Sequence, residues 1–156
     1  DPHAMQNDGQ LARHRDARVA RVVAFYETLT AADLARLSEL YRDDARFKDP
    51  FNEVQGTVAI AAVFEHMFDA LHEPRFVVRE IVAEGDQCFL TWDFVFRFKR
   101  FAPDESQTVR GASHLVFAED GSIALHRDYW DAAEELYEKL PLVGGLMRWL
   151  KRQANT

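Results

Sequence analysis

Three side chains in this sequence have the type and spacing to move a proton. Asp49 ends the segment Ala45-Arg46-Phe47-Lys48-Asp49, and an extended chain turns alternate side chains to opposite faces. Arg46 and Lys48 take the face that prefers water, so Ala45, Phe47 and Asp49 share the apolar one. Pro50 holds Asp49 extended. A carboxyl group facing an apolar interior without hydrogen-bond partners has a raised pKa, the condition of a general base or acid. The competing role is structural, because Asp is frequent in turns and accepts from backbone amides there. His126 and Asp128 lie two residues apart, and a histidine beside a carboxylate is a recurrent acid/base unit. Other chemistries drop out. No serine lies in a nucleophile-elbow context, no glycine pattern cradles phosphate, and Cys88, the single cysteine, belongs to no Cys/His framework. No metal and no organic cofactor is implied. His14, His66 and His72 fall off the helical stripes and are expected to be solvated.

These residues need elements to hold them. From Leu11 to about Leu29, Val19, Val22, Val23, Tyr26 and Leu29 recur at three- and four-residue steps, which predicts a helix with one buried face. Thr30 and Asp33 offer capping oxygens before a shorter period carried by Leu34, Leu37, Leu40 and Tyr41, a second helix ending near Asp43 or Asp44. Gly56 and Thr57 open a third, striped by Ile60, Val63, Phe64, Met67, Phe68 and Leu71 and stopped by Pro74. From Arg75 the period becomes two, predicting strands over 75–84, 87–100, 108–119 and 122–131. Gly85-Asp86 and Asp120-Gly121 pair them as antiparallel hairpins. A short helix follows near 132–139, then an apolar tail beyond Pro141.

Parity sorts the faces. Cys88, Leu90, Trp92, Phe94, Phe96 and Phe98 form one face of the second strand; Asp93 and Arg97 form a pair on the other, outer face. In the third strand Val109, Gly111, Ser113, Leu115 and Phe117 point inward, and His114 points outward beside Arg110. The fourth strand stays open: Ile123, Leu125, Arg127 and Tyr129 on one face, Ala124, His126, Asp128 and Trp130 on the other. Three helices and a twisted four-strand meander close their apolar faces only if the sheet bends around the helices. The fold class is therefore α+β, with three N-terminal helices on a strongly curved antiparallel sheet, an internal pocket and C-terminal helices. Flat apolar molecules suit the gaps in so aromatic a core.

The totals agree. A chain of 156 residues fits one domain. A net charge of −7, from 26 acidic and 19 basic residues, repels phosphate backbones, so no nucleic-acid partner is expected. No apolar run approaches the ~20 residues of a membrane span, and a cytoplasmic setting is expected. Residues 1–10 read as a tag or disordered start, 11–140 as the pocket domain and 141–156 as an amphipathic helix, either a lid over the pocket or a surface for a partner or membrane. Val95 and Val116 on the outer sheet face lead to the expectation of a homodimer through the sheet.

The stretch Tyr41-Arg-Asp-Asp-Ala-Arg-Phe-Lys-Asp49-Pro50, the helix opened by Gly56, and the ending Asp120-Gly-Ser-Ile through Asp128-Tyr-Trp-Asp131 resemble the nuclear transport factor two-like superfamily. It includes ketosteroid isomerases, SnoaL-like polyketide cyclases and limonene epoxide hydrolases, and the match covers roughly residues 15–135. The resemblance implies a cone-shaped, cystatin-like α+β roll, a dimer, and a small apolar ligand such as a carbonyl compound or a polyketide, steroid or terpene. Asp49 falls on the proton-shuttling aspartate of ketosteroid isomerases. The places of that enzyme's oxyanion donors hold Phe25 and Ser113, with Tyr26 about 100° away around the first helix. Asp128 matches the water-activating aspartate of limonene epoxide hydrolase, which favours the even face of strand four pointing inward. The other two members of that site are replaced by Trp92 and Phe94. Neither known site is complete. The expected reading is an isomerase or cyclase-type enzyme with Asp49 as base, His126 and Asp128 as a second acid/base pair, Ser113 or Tyr26 as donor, and Phe25, Phe47, Trp92, Phe94 and Trp130 around the pocket. The alternatives are a non-catalytic binding module and water activation through Asp128.

Overall fold

Helix α1 (Ala17–Glu27) buries Val19, Val22, Val23 and Tyr26 along one stripe. Asp16 caps it, accepting from the Arg18 backbone N–H at 2.9 Å. The Arg18 guanidinium beside it lowers the Asp16 carboxyl to about 2. Arg18 also reaches Asp86 Oδ1 at 2.7 Å and the Gly85 carbonyl at 3.0 Å. The computed structural model describes residues 14–140, 149–150 and 152–154, so the expected helical stretch 11–13 and most of the expected lid, 141–148, 151 and 155–156, lie outside the described residues.

A 3₁₀ helix, Ala31–Glu39, follows, opened by Asp33 Oδ2 accepting from the Thr30 backbone at 2.8 Å. The expected second helix thus ends earlier than Asp43. Tyr41 instead begins strand β1 (Tyr41–Lys48), since tertiary pairing overrides a local helical period. After β2 (Glu53–Gln55) comes α2 (Thr57–Ala70), with Gly56 before it at φ 93°. Pro74 does not end this helix. The chain enters β3 (Leu71–Glu84) at Leu71, and Pro74 lies at a bulge between His72 and Arg75 where Glu73 takes φ 49°. Because β3 is an edge strand, the missing proline N–H can be accommodated. Strands β4 (Gln87–Phe98), β5 (Gln107–Phe117) and β6 (Ile123–Tyr129) complete the meander, followed by α3 (Ala132–Glu135) and a 3₁₀ turn, Tyr137–Lys139.

The sheet has six strands in the order β2-β1-β6-β5-β4-β3. It is antiparallel except where β1 runs parallel to β6, with Phe47 opposite His126. What reads locally as a short extended piece is therefore a full strand of a curved sheet. The helices fill its concave side, Ile60 and Phe64 from α2 joining the α1 stripe against Leu90, Trp92, Phe96 and Leu115. No helix among the described residues is long and apolar enough to cross a membrane.

The strand faces follow parity. On the outer face Asp93 accepts from Arg79 at 2.9 and 2.6 Å, not from Arg97, which donates to the Pro103 carbonyl. Cross-strand neighbours on β3 are nearer than a same-strand residue four positions on. His114 stacks on Phe89 on that face at 4.4 Å. His14 is not simply solvated, since its Nδ1 accepts from the Asp16 backbone at 3.0 Å.

Gly111 lies directly opposite Trp92 in the β4–β5 register, and the indole lies over it: a Cβ there would come within 2.4 Å of the ring. Gly111→Ala should lower stability by about 1–3 kcal/mol through overpacking, read as a lower midpoint in thermal or urea unfolding. An unchanged midpoint would show that the indole has room to move.

Candidate functional site

Six side chains form one hydrogen-bonded run through the interior. The register places Ser113 opposite Asp128 and Leu115 opposite His126 across β5 and β6, with Trp92 on β4, Tyr41 on β1 and Tyr26 on α1 completing the run. The Trp92 indole donates to Ser113 Oγ at 2.9 Å, and Ser113 donates to Asp128 Oδ1 at 2.5 Å. His126 Nε2 lies 2.6 Å from the same Oδ1. On its other side His126 Nδ1 is 2.5 Å from the Tyr41 hydroxyl, which bonds in turn to the hydroxyl of Tyr26.

Counting donors gives one arrangement in which every link is satisfied. An indole only donates, so Ser113 accepts from it and its own proton goes to Asp128. When Tyr26 donates to Tyr41, its hydrogen-bond partner among the described residues, the Tyr41 oxygen is the acceptor. That turns the Tyr41 proton toward His126 Nδ1, which must then carry a lone pair. The proton of a neutral imidazole is consequently on Nε2 and is donated to Asp128. Two directed chains converge on Oδ1, and among the described residues no donor reaches Oδ2. Burial pushes the Tyr26 and Tyr41 hydroxyls well above the ordinary 10 of a phenol, so both stay protonated donors at neutral pH. The His126 ring is enclosed, stacked on Tyr41 and edge-on to Tyr26 and Phe47.

Asp128 lines two adjoining spaces. The outer chamber, about 360 Å³, is walled largely by aromatic rings, among them Phe76, Phe94, Phe96, Phe98 and Trp130. The inner one, about 20 Å³, has room for roughly one water and is bounded by Tyr26, Ser113, His126 and Asp128. Phe64, Phe76, Trp92 and Asp128 line both.

The even face of β6 thus carries His126, Asp128 and Trp130 inward, the choice that parity left open. Asp49 lines the outer chamber as well, but its carboxylate closes a turn. Oδ1 accepts from the Phe51 backbone at 2.8 Å and the Asn52 backbone at 2.7 Å, and both oxygens accept from Asn52 Nδ2 at 3.1 Å. It is not the partnerless carboxyl group that the sequence suggested. Phe25 lines neither chamber. The α1 stripe turns Tyr26 inward as its period predicts, and Phe25 sits on its shoulder in edge contact rather than in the pocket wall. Tyr41 is the residue that sequence reading missed, because a helical period claimed it. Exposed His66 lines the outer chamber rather than standing apart. Among the described residues no three His, Cys, Asp or Glu side chains are grouped to hold a metal ion.

The family model of the SnoaL-like domain matches residues 22–126. No curated protein matches the chain by sequence. Among solved structures, a hypothetical protein with a ketosteroid isomerase-like fold from Catenulispora acidiphila, in complex with trimethylamine, superposes with TM-score 0.66 at 14% identity, covering 79% of this chain and 92% of that one. A protein named as a SnoaL-like polyketide cyclase from Jannaschia sp. gives 0.64 at 17% identity over 75% and 87%. An LEH-like epoxide hydrolase of M. tuberculosis gives 0.61 at 18% identity over 76% and 85%. At such identities the likeness is one of fold.

Tyr41→Phe removes the donor to His126 Nδ1 and the acceptor of Tyr26 together. It should cost about 1–3 kcal/mol in unfolding free energy and release His126 from a single tautomer. Nitrogen-15 NMR of the histidine ring reads the tautomer directly. A Tyr41→Phe protein that keeps the Nε2–H form alone would show that the tyrosine pair does not set it.

Proposed function

The chain belongs to the SnoaL-like family, and within it we propose an enzyme that relocates a proton on a small apolar carbonyl compound, with Asp128 as the base. The observation that carries this reading is a carboxyl group in the wall of an aromatic chamber, one oxygen held by Ser113 and His126 and the other without a donor among the described residues. Oδ2 takes a proton from the carbon beside the carbonyl; the C–H electron pair forms the carbon–carbon double bond and the carbonyl π pair moves onto oxygen, giving an enolate. The carboxylic acid so formed returns the proton to another carbon and regenerates the carboxylate. Ser113 and His126 keep Oδ1 fixed through both steps. His66 and the Trp130 indole, which line the outer chamber and form no hydrogen bond among the described residues, are the donors available to the enolate oxygen. Asp49, tied into its turn, shapes the rim.

Water activation by the same carboxylate is the second reading, favoured by the one-water space that Asp128 lines together with Ser113, His126 and apolar side chains. Proton exchange into apolar ketones in deuterium oxide, and oxygen-18 uptake from labelled water into terpene epoxides, separate the two. Asp128→Asn should lower whichever rate is found by about 10²–10⁴, whereas Asp49→Asn, which keeps an acceptor oxygen for the turn, should retain most of it. The reverse order would return the base to Asp49. Ligand binding without turnover of any compound would make the protein a binding module.

We also infer a homodimer through the outer sheet face, supported by Val82 and Phe89, which stand 66% and 49% exposed there. Phe89→Glu should convert a dimer to a monomer in light scattering after gel filtration; a wild-type monomer sinks the inference.

A further inference from the structure

Among the described residues no lysine and no arginine lines the outer chamber. Of those that line it, the ionisable ones are Asp49, His66 and Asp128. The Asp49 oxygens are occupied by amide donors of its own turn. Among the described residues Asp128 receives donors only on Oδ1, from the Ser113 hydroxyl and the His126 ring. A carboxylate there has hydrogen bonds but, among the described residues lining the chamber, no lysine or arginine beside it. The surrounding aromatic rings carry their negative potential on their faces, which adds attraction for positive charge and none for an anion.

We propose that the chamber binds an apolar ammonium ion, its N–H on Asp128 Oδ2 and its organic body against the aromatic walls. Donor counting narrows the class. Oδ2 is the acceptor left open, so an ammonium with one or two N–H bonds can be satisfied. A guanidinium, with five donors, would enter an apolar space with most of them unpaired. Burying the cation costs hydration, which the carboxylate contact and the ring faces offset. An organic carboxylate has neither compensation and meets like charge. The inference rests on the proposed function only in taking Asp128 as the working group of the chamber. By occupying Oδ2 the amine competes with the carbon acid, and acts as a reversible inhibitor.

The test is calorimetric titration of the full chain at neutral pH with three probes of one shape: naphthylmethyl-dimethylamine, naphthylmethanol and naphthoate. The amine should bind at least about tenfold more tightly than the alcohol, with naphthoate weakest. Asp128→Asn should abolish the preference for the amine. Asp93→Asn, which removes the same charge on the outer face beside Arg79, should preserve it. An alcohol that binds as well as the amine overturns the proposal, as does a preference that survives Asp128→Asn. If Asp128→Asn melts before titration, the wild-type order of the three probes together with the Asp93→Asn control decides. Binding and turnover are read separately: amine selectivity without proton exchange would remove the reaction and leave this site, and exchange without selectivity would do the opposite.

Discussion

The parallel pairing of β1 with β6 is the constraint on which the interior depends. Every other pairing in the sheet joins strands that are neighbours in sequence, through a hairpin or a short loop. This one joins residues about eighty positions apart and pays its loop-closure entropy only once the rest has formed. It sets Phe47 beside His126 and brings Tyr41 under the same imidazole. Without it the meander would still have an apolar face, but the histidine would have no donor at Nδ1 and the cone no closing wall.

A buried polar run of this kind stabilises only when every member is satisfied, and a half-satisfied one is worse than an apolar core. Here no buried side-chain nitrogen or oxygen among the described residues lacks a partner. The run begins at two groups that need only donate, an indole and a phenol, and ends at an oxygen that need only accept. That polarity favours an arrangement in which every proton has an acceptor. It also explains why a hydroxyl pair can be tolerated deep in a hydrophobic cluster, where each group alone would lose about 1–3 kcal/mol of hydration unreturned.

Much of this was legible in the residues. The apolar stripe of α1, the inward set from Cys88 to Phe98, and the inward Ser113 follow from period and parity alone, because each strand has one wet face and one dry one. The orientation of β6 was not legible, since Leu125 and Arg127 on one side and His126 and Asp128 on the other balance. Resemblance, not parity, favoured the side that the structure adopts. Tyr41 was hidden because Leu34, Leu37 and Leu40 continue a helical spacing to it, and only a partner strand far along the chain draws it into the sheet. Asp49 illustrates a different limit. Alternation put it on the chamber side, where it lies, but alternation carries no information on partners, and the chain doubles back at Pro50 so that Asn52 meets its carboxylate. A better signal was present in the spacing of Asp49, Pro50 and Asn52, which describes a side-chain-closed turn.

The ties around Arg18 fasten one end of the cone. Its guanidinium links the start of α1 to Asp86 and Gly85 in the β3–β4 hairpin and lies 4.9 Å over the Phe117 ring near the end of β5. That hairpin is at the opposite end of β3 and β4 from the Leu71–Phe98 pair, and Leu71 and Phe98 line the outer chamber. One end of the cone is thus riveted across helix and sheet. The side of the chamber lined by Phe51, Trp130 and Leu136 is held differently, by the ring contacts of Phe51 with Trp130 and Tyr137 and by the Arg110–Glu135 ion pair.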